Sequence, residues 1–268
     1  MQKGNYLSNG NAARYGAGNL RRLPIPHSPH RREWSLLCVD ATAIRIDAEA
    51  REATLDRIQT GTLLIAGAIT RGDVTVTRCR PGDLLALTQK LDECGVVVTT
   101  GADWIRVQAD AVKSGTDIVT APHPGFPTDL QPQMLTFLCT TPGTSVVEES
   151  IFNARFSYVN ELARMGADVK VSMESNTSIV KGVAQLSGAP VEAPDIRAGA
   201  ALVVAGLAAA GETEIIGLEY IDRGYERLEE MLSALGGQVQ RSSGVTPLVE
   251  PAGLFETREY PRVSSAAG

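Results

Sequence analysis

Apolar and polar positions repeat along this chain in three copies, beginning near Ala43. Each copy opens with a short strand-like segment, then an Asp, then an almost wholly apolar run that closes on a glycine. The runs are Asp56 to Gly72, Asp129 to Gly143 and Asp195 to Gly211. Helices apolar all round are predicted to be buried. A β-branched segment follows each one, Val74–Thr77, Ser145–Glu148 and Thr213–Ile216, and is predicted as a strand. A two-faced helix comes next, over Asp83 to Gly95, Ser157 to Gly166 and Tyr225 to Gly236. Leu84, Leu87 and Leu91 in the first of these, and Leu228, Leu232 and Leu235 in the third, fall on one face at helical spacing. Their closing glycines suit left-handed caps. Hairpins then pair Val96–Thr99 with Trp104–Val107 and Asp168–Val171 with Ser178–Lys181, and a less regular third falls near Gln238 to Glu250. The unit is βαβαββ, three times, over about 43–116, 117–186 and 187–250. Three sheets around a bundle of buried helices satisfy that pattern, with the Asp-started ends gathered into one anion-attracting site.

The stretch from Ala121 to Gln133, Ala-Pro-His-Pro-Gly-Phe-Pro-Thr-Asp-Leu-Gln-Pro-Gln, leads into the middle buried helix. Its prolines fix the approach of the chain. Thr128 with Gln131 has the form of a capping box. Pro132 argues for a start one residue later, where its missing N–H falls among the unpaired donors of the first turn. Either start leaves Asp129 at the positive mouth of a helix. It is then a helix cap or a carboxylate held rigidly in a cleft as a base.

Residues 1–34 have no helical or strand period. They carry Lys3, Arg14, Arg21, Arg22, Arg31 and Arg32 against Glu33, a charge of +5, which leaves −11 for the rest of a chain of net charge −6. Rich in Asn, Gly, Pro and Arg, residues 1–40 read as a disordered or atypical extension, ahead of one folded domain over 41–268. His27 and His30 are too few for a metal site, and none is expected. Of 268 residues 43% are hydrophobic, ample for a packed core, and no run is long enough to span a membrane. Cys38, Cys79, Cys94 and Cys139 lie far apart without a C-x-x-C pair, which suits free thiols in a cytoplasmic protein.

Seven motifs in order give this repeat a resemblance. They are Asp56-Arg-Ile-Gln-Thr-Gly-Thr62, Thr120-Ala-Pro-His-Pro-Gly-Phe-Pro-Thr-Asp-Leu-Gln131, Arg164-Met-Gly-Ala167, Glu174-Ser-Asn-Thr177, Leu186-Ser-Gly-Ala189, Asp195-Ile-Arg-Ala198 and Ile221-Asp-Arg-Gly-Tyr-Glu-Arg227. Over roughly Ala43 to Arg241 the chain resembles the enolpyruvyl transferases, and among them the branch acting on UDP-N-acetylglucosamine at the start of peptidoglycan precursor synthesis. The resemblance implies an α/β (α+β) fold, an inside-out α/β barrel domain. It implies transfer of the enolpyruvyl group of phosphoenolpyruvate to the sugar 3-hydroxyl, with no cofactor. Asp129 would take the hydroxyl proton, and Ile151 would contact the nucleotide sugar. Arg223 would clamp phosphoenolpyruvate, and Asp195 and Arg197 would stand at the same cleft. The family has a second domain of this type, which bears a proton-donating Cys and an Arg-rich phosphate segment. Neither has a counterpart here, so a second domain or chain is expected to complete the site.

The chain departs from the family at four places. Asn153-Ala154 stands where the family has Glu-Asn, Pro194 where it has Thr, and Gly199 where it has Ser, and the hairpin over 168–177 is about two residues longer. Three readings follow: a transferase, a relative that binds nucleotide sugar or a partner without turnover, and an RNA-end-processing enzyme. A body charge of −11 disfavours the last, because a phosphate backbone needs a basic face.

Overall fold

The computed structural model describes residues 35–40, 47–50 and 56–243. The chain divides into residues 1–32 and 33–268, and every described residue lies in the second unit. The chain there opens with strands β1 (Ser35–Asp40) and β2 (Asp47–Ala50). The first copy continues with α1 (Arg57–Ile69), β3 (Asp73–Thr77), a 3-10 turn over Pro81–Leu84, α2 (Leu85–Glu93), β4 (Val97–Thr100) and β5 (Trp104–Gln108). The second runs through β6 (Ile118–Val119), a 3-10 turn over Thr128–Leu130, α3 (Gln131–Cys139), β7 (Thr144–Glu148), α4 (Val159–Arg164), β8 (Asp168–Ser172) and β9 (Thr177–Lys181). The third has β10 (Leu186–Ser187), β11 (Pro190–Glu192), α5 (Ile196–Ala208), β12 (Ala209–Ala210), β13 (Glu212–Ile216), α6 (Leu218–Ile221), α7 (Leu228–Ala234) and β14 (Val239–Ser243).

Three four-stranded sheets result, in the orders β2-β3-β5-β4, β6-β7-β9-β8 and β11-β13-β1-β14. Each begins with a parallel pair and continues antiparallel. The period-2 segments explain the strands. In β3, Val74 and Val76 are buried while Asp73, Thr75 and Thr77 are only partly covered, and β7 alternates likewise. The sheets are separate, so the fold is an inside-out arrangement without a closed barrel.

The central helices explain the long apolar runs. Eleven of thirteen residues of α1, all nine of α3 and ten of thirteen of α5 are buried. The three pack on one another, and glycine makes the approach possible. A Cβ on Gly61 would lie 2.5 Å from Leu130 Cδ1. The two-faced helices lie outside, with Leu84, Leu87, Leu91, Leu228, Leu232 and Leu235 all buried. Gly95, Gly166 and Gly236 close them with φ of +89°, +88° and +95°.

The third sheet differs from the reading above. In the first two sheets the third position is filled by the second strand of a local hairpin, β5 or β9. In the third it is filled by β1, which pairs Val39 with Thr213 on one side and with Val239 on the other. Residues 35–40, assigned to the extension, therefore belong to the fold. The reason is physical: Leu36, Leu37 and Val39 are all buried, but an apolar stretch of six residues without a clean alternation is too short to register against the basic head. Of the expected third hairpin, residues 244–250 lie outside the described residues.

β1 contributes to the core as much as any repeat strand. Leu37→Ala is expected to cost about 2–5 kcal/mol, as for other fully buried leucines. Urea unfolding measures it, and a loss under about 1 kcal/mol would mean that β1 is a dispensable edge.

Candidate functional site

The three repeated aspartates begin as equivalents and end in different roles. Asp56 caps α1: its Oδ1 accepts from the amides of Ile58 at 2.6 Å and Gln59 at 2.9 Å. Asp195 caps α5 the same way, accepting from the amides of Arg197 and Ala198, both at 2.9 Å. Asp129 caps nothing. The chain enters α3 through the 3-10 turn, which puts Asp129 one residue inside it, and Pro132 falls in the first α-helical turn, where no amide is needed. The expected capping box does not form. The Thr128 hydroxyl donates to Glu149 Oε2 at 2.9 Å, and Gln131, fully buried, accepts from the Tyr158 hydroxyl at 3.2 Å. Thr and Gln at that spacing were the right residue types, but the tighter turn aims them elsewhere.

Two arginines hold the freed carboxylate. Arg155 Nη2 donates to Asp129 Oδ1 at 2.8 Å, and Arg197 Nε lies 3.6 Å from the same oxygen. The Asp129 side chain is 38% exposed, against 17% and 20% for the arginines, so the pair is half sunk and the carboxylate faces outward. Arg197 thus spans to Asp129 and forms no ion pair with Asp195, whose carboxylate is taken by the helix amides. Its guanidinium lies 5.7 Å from the centre of the Tyr225 ring, and its Nη1 is buried with no partner.

Tyr225 ties this site to the core. Its hydroxyl shares hydrogen bonds with Thr62 on α1 at 2.9 Å and Gln133 on α3 at 3.0 Å. Burial raises its pKa. One side chain therefore touches the starts of all three central helices.

A cavity of about 450 Å³ is lined by Asp129, Asp195, Arg155, Arg197, Phe152, Asn153 and Ile196. A smaller one of about 170 Å³ shares Asp129 and includes Arg57, His123, Thr128 and Ile151. Asp129, Ile151, Asp195 and Arg197 are therefore gathered around two adjoining hollows. Arg223 is not among the residues lining either; its guanidinium lies over Tyr220, 5.4 Å from the ring centre. Its neighbour Gly224 approaches the start of α5, where a Cβ would lie 2.5 Å from Ile196 and 3.4 Å from Arg197 Nη1. His123 precedes a cis proline and sets its Nδ1 3.3 Å from Arg57.

Arg155 and Glu149 are the residues that the sequence reading missed. Arg155 directly follows the departing Asn153-Ala154 pair, and with Glu and Asn lost from the loop it was the charged side chain remaining there. Glu149, 2% exposed, had no signal beyond following a strand. Its Oε1 accepts from the Thr120 hydroxyl and the amides of Ile151 and Phe152 at 2.9–3.1 Å, and its Oε2 from Thr128. Asn176, at φ +48°, donates to the carbonyls of Glu149 and Phe152. The loop after β7 thus hangs on one buried carboxylate.

None of the four thiols lines either hollow at Asp129. Burial pushes Cys38 and Cys94 up to about 11 and Cys139 up to about 12. Among the described residues no group of His, Cys, Asp or Glu could hold a metal ion, and no helix is long and apolar enough to cross a membrane.

Comparison with known proteins agrees with this architecture. The family described as EPSP synthase (3-phosphoshikimate 1-carboxyvinyltransferase) matches residues 47–232. UDP-N-acetylglucosamine 1-carboxyvinyltransferases from Anaeromyxobacter sp. (strain K) and Magnetococcus marinus are 49% and 52% identical over 189 and 187 residues. Those alignments cover 70% and 69% of this chain but 44% of each relative, so the chain spans about half the length of these relatives. A relative of the same description from Desulfofundulus thermocisternus is 52% identical over 187 residues, covering 70% of this chain and 76% of that protein. The crystal structure of the enolpyruvyl transferase NikO from Streptomyces tendae superposes with a TM-score of 0.63 at 27% identity, covering 71% of this chain and 45% of its own. With its three repeated units, its gathered helix starts and the match over residues 47–232, the chain belongs to the EPSP synthase family.

Proposed function

We propose that this chain carries the carboxylate-and-guanidinium side of an enolpyruvyl-transfer site, with UDP-N-acetylglucosamine as acceptor and phosphoenolpyruvate as donor. The observation that carries the reading is Asp129, freed from capping and held between Arg155 and Arg197 at the meeting of two hollows. Carboxyvinyl transfer to UDP-N-acetylglucosamine, the activity for which the relatives are named, supports the acceptor, and the motif resemblance supports the donor.

In this reaction the sugar 3-hydroxyl adds to C2 of phosphoenolpyruvate while C3 takes a proton. Loss of a proton from C3 and of phosphate from C2 then restores the double bond. Asp129 is placed to accept the hydroxyl proton. Arg197 supplies fixed positive charge for the carboxylate and phosphate of the adduct. For Arg223 to share that work its guanidinium has to swing off the Tyr220 ring, and Gly224 already holds the backbone there against Arg197. The proton for C3 would come from a second domain or chain, which would also close the cleft over the reactants. The setting implied is cytoplasmic synthesis of cell-wall precursor.

Nucleotide-sugar binding without turnover is the second reading. The position of the thiols favours it, since none stands at Asp129 to deliver the C3 proton. A positioned acid contributes about 10²–10⁴-fold, and cleft closure adds to that.

The purified chain alone is therefore expected to release no phosphate above the blank from the two substrates. UDP-N-acetylglucosamine should nevertheless shift amide NMR signals in residues 120–131 and 150–156. No shift at any concentration would overturn the proposal, and phosphate release abolished by Asp129→Ala would locate a sufficient acid within this chain.

Glu149 holds the sugar-side loop, so its replacement reads the loop directly. Glu149→Ala strands two hydroxyls and two amides and is expected to cost more than about 3 kcal/mol, since each unpaired buried group costs about 1–3. The milder Glu149→Gln should speed hydrogen exchange at Ile151 and Phe152 and weaken nucleotide-sugar binding. Unchanged exchange at both amides would show that the loop is held by other contacts.

A further inference from the structure

A third hollow, of about 340 Å³, lies at the start of α1 and plays no part in the reading above. It is lined by Asp56, Arg57, Thr60, Arg78, Cys79, Arg80, Asp83 and Leu84. Three guanidiniums therefore surround one cavity, in a body whose charge is strongly negative. Elsewhere arginines find carboxylates: Arg106 with Asp73, Arg241 with Asp222 and Glu229, Arg155 with Asp129. Here they do not. Arg57 contacts His123, and Arg78 and Arg80 make no hydrogen bond or ion pair among the described residues. Asp56 is occupied with the amides of Ile58 and Gln59, and neither it nor Asp83 is bonded to the arginines beside it.

The backbone explains why they stay apart. Cys79 is buried and donates to the Val76 carbonyl, so Arg78 and Arg80 on either side face outward. Arg78 takes φ +59°, a conformation uncommon for a residue with a side chain. Thr60, fully buried on the second turn of α1, also lines the hollow, and its hydroxyl has no partner. A buried hydroxyl without a partner costs free energy that a bound acceptor would recover. The start of a helix adds favourable potential for an anion.

We propose that this hollow binds a phosphoryl-type dianion. Guanidinium forks match phosphate oxygens in pairs, and the hydroxyl of Thr60 is a further donor at the same place. A cavity near the small end of ligand sites suits one phosphoryl group with a small substituent, or phosphate itself. Arg57 also lines the hollow that contains Asp129, so an anion held here shares a guanidinium with the candidate site. The inference does not rest on the transferase reading.

The test is titration of the full chain with inorganic phosphate, following the guanidinium Nε–Hε NMR signals of Arg57, Arg78 and Arg80, against sodium chloride at matched ionic strength. Saturable shifts with phosphate alone are expected, weakened about tenfold or more in Arg78→Gln/Arg80→Gln and retained in Asp129→Ala. Thr60→Val should weaken binding severalfold while leaving the unfolding midpoint unchanged or higher. A parallel titration with UDP distinguishes the source: tighter shifts of the same signals than phosphate gives identify a nucleotide diphosphate, and none identifies free phosphate. Shifts no larger than with chloride, undiminished in the double variant or lost in Asp129→Ala, would overturn the site.

Discussion

Three helices begin at one end of this domain, and that convergence is the constraint on which the rest depends. The start of a helix carries unpaired amides and positive potential. Bringing three such ends together is costly unless acceptors meet them. Asp56 and Asp195 do so for α1 and α5, and the hydroxyl of Tyr225 joins α1 to α3 while its ring receives Arg197 from α5. The apolar bodies of the helices then fill the core, and the sheets cover them.

The middle copy uses the same ingredients for another purpose. The 3-10 entry into α3 moves Asp129 off the capping position, and Arg155 and Arg197 take over the charge. A carboxylate used by backbone amides is committed to the fold. One held only by side-chain guanidiniums can exchange them for a substrate. The buried Glu149 makes this possible from beneath, because it fixes Thr128 and the loop that carries Arg155 without touching Asp129 itself. The division of labour is between one acid that holds the loop and another left available at the surface.

Much of this was legible in the sequence. The apolar runs from Asp56, Asp129 and Asp195 gave the central helices, because burial on every side leaves an unmistakable pattern. The alternating segments gave the strands of the first two units. Asp129, Ile151, Asp195 and Arg197 were placed by resemblance, and the structure brings them around adjoining hollows. What escaped notice depends on geometry rather than type. Nothing in Thr128-Asp-Leu-Gln131 distinguishes a 3-10 turn from a capped α-helix. Nothing in a Glu149 that merely follows a strand announces four hydrogen bonds. The direction of Arg223 toward Tyr220 is a rotamer choice, and β1 finds its partners too far along the chain for any local window to reveal.

That last pairing bears on how the chain reaches its fold. β1 comes ahead of the first two units in the chain, yet it sits between β13 and β14, centred at residues 214 and 241. The first two sheets close on neighbours in sequence and can form while the ribosome is still at work. The third cannot, because its inner strand waits for partners not yet translated. Loop-closure entropy rises slowly with separation, so the wait is kinetic more than energetic. During it the apolar side chains of β1, Leu37 and Val39, have no sheet to cover them. A domain that looks threefold when folded is therefore assembled unequally, with its third sheet acting as a latch that fastens only after the first two units have been made.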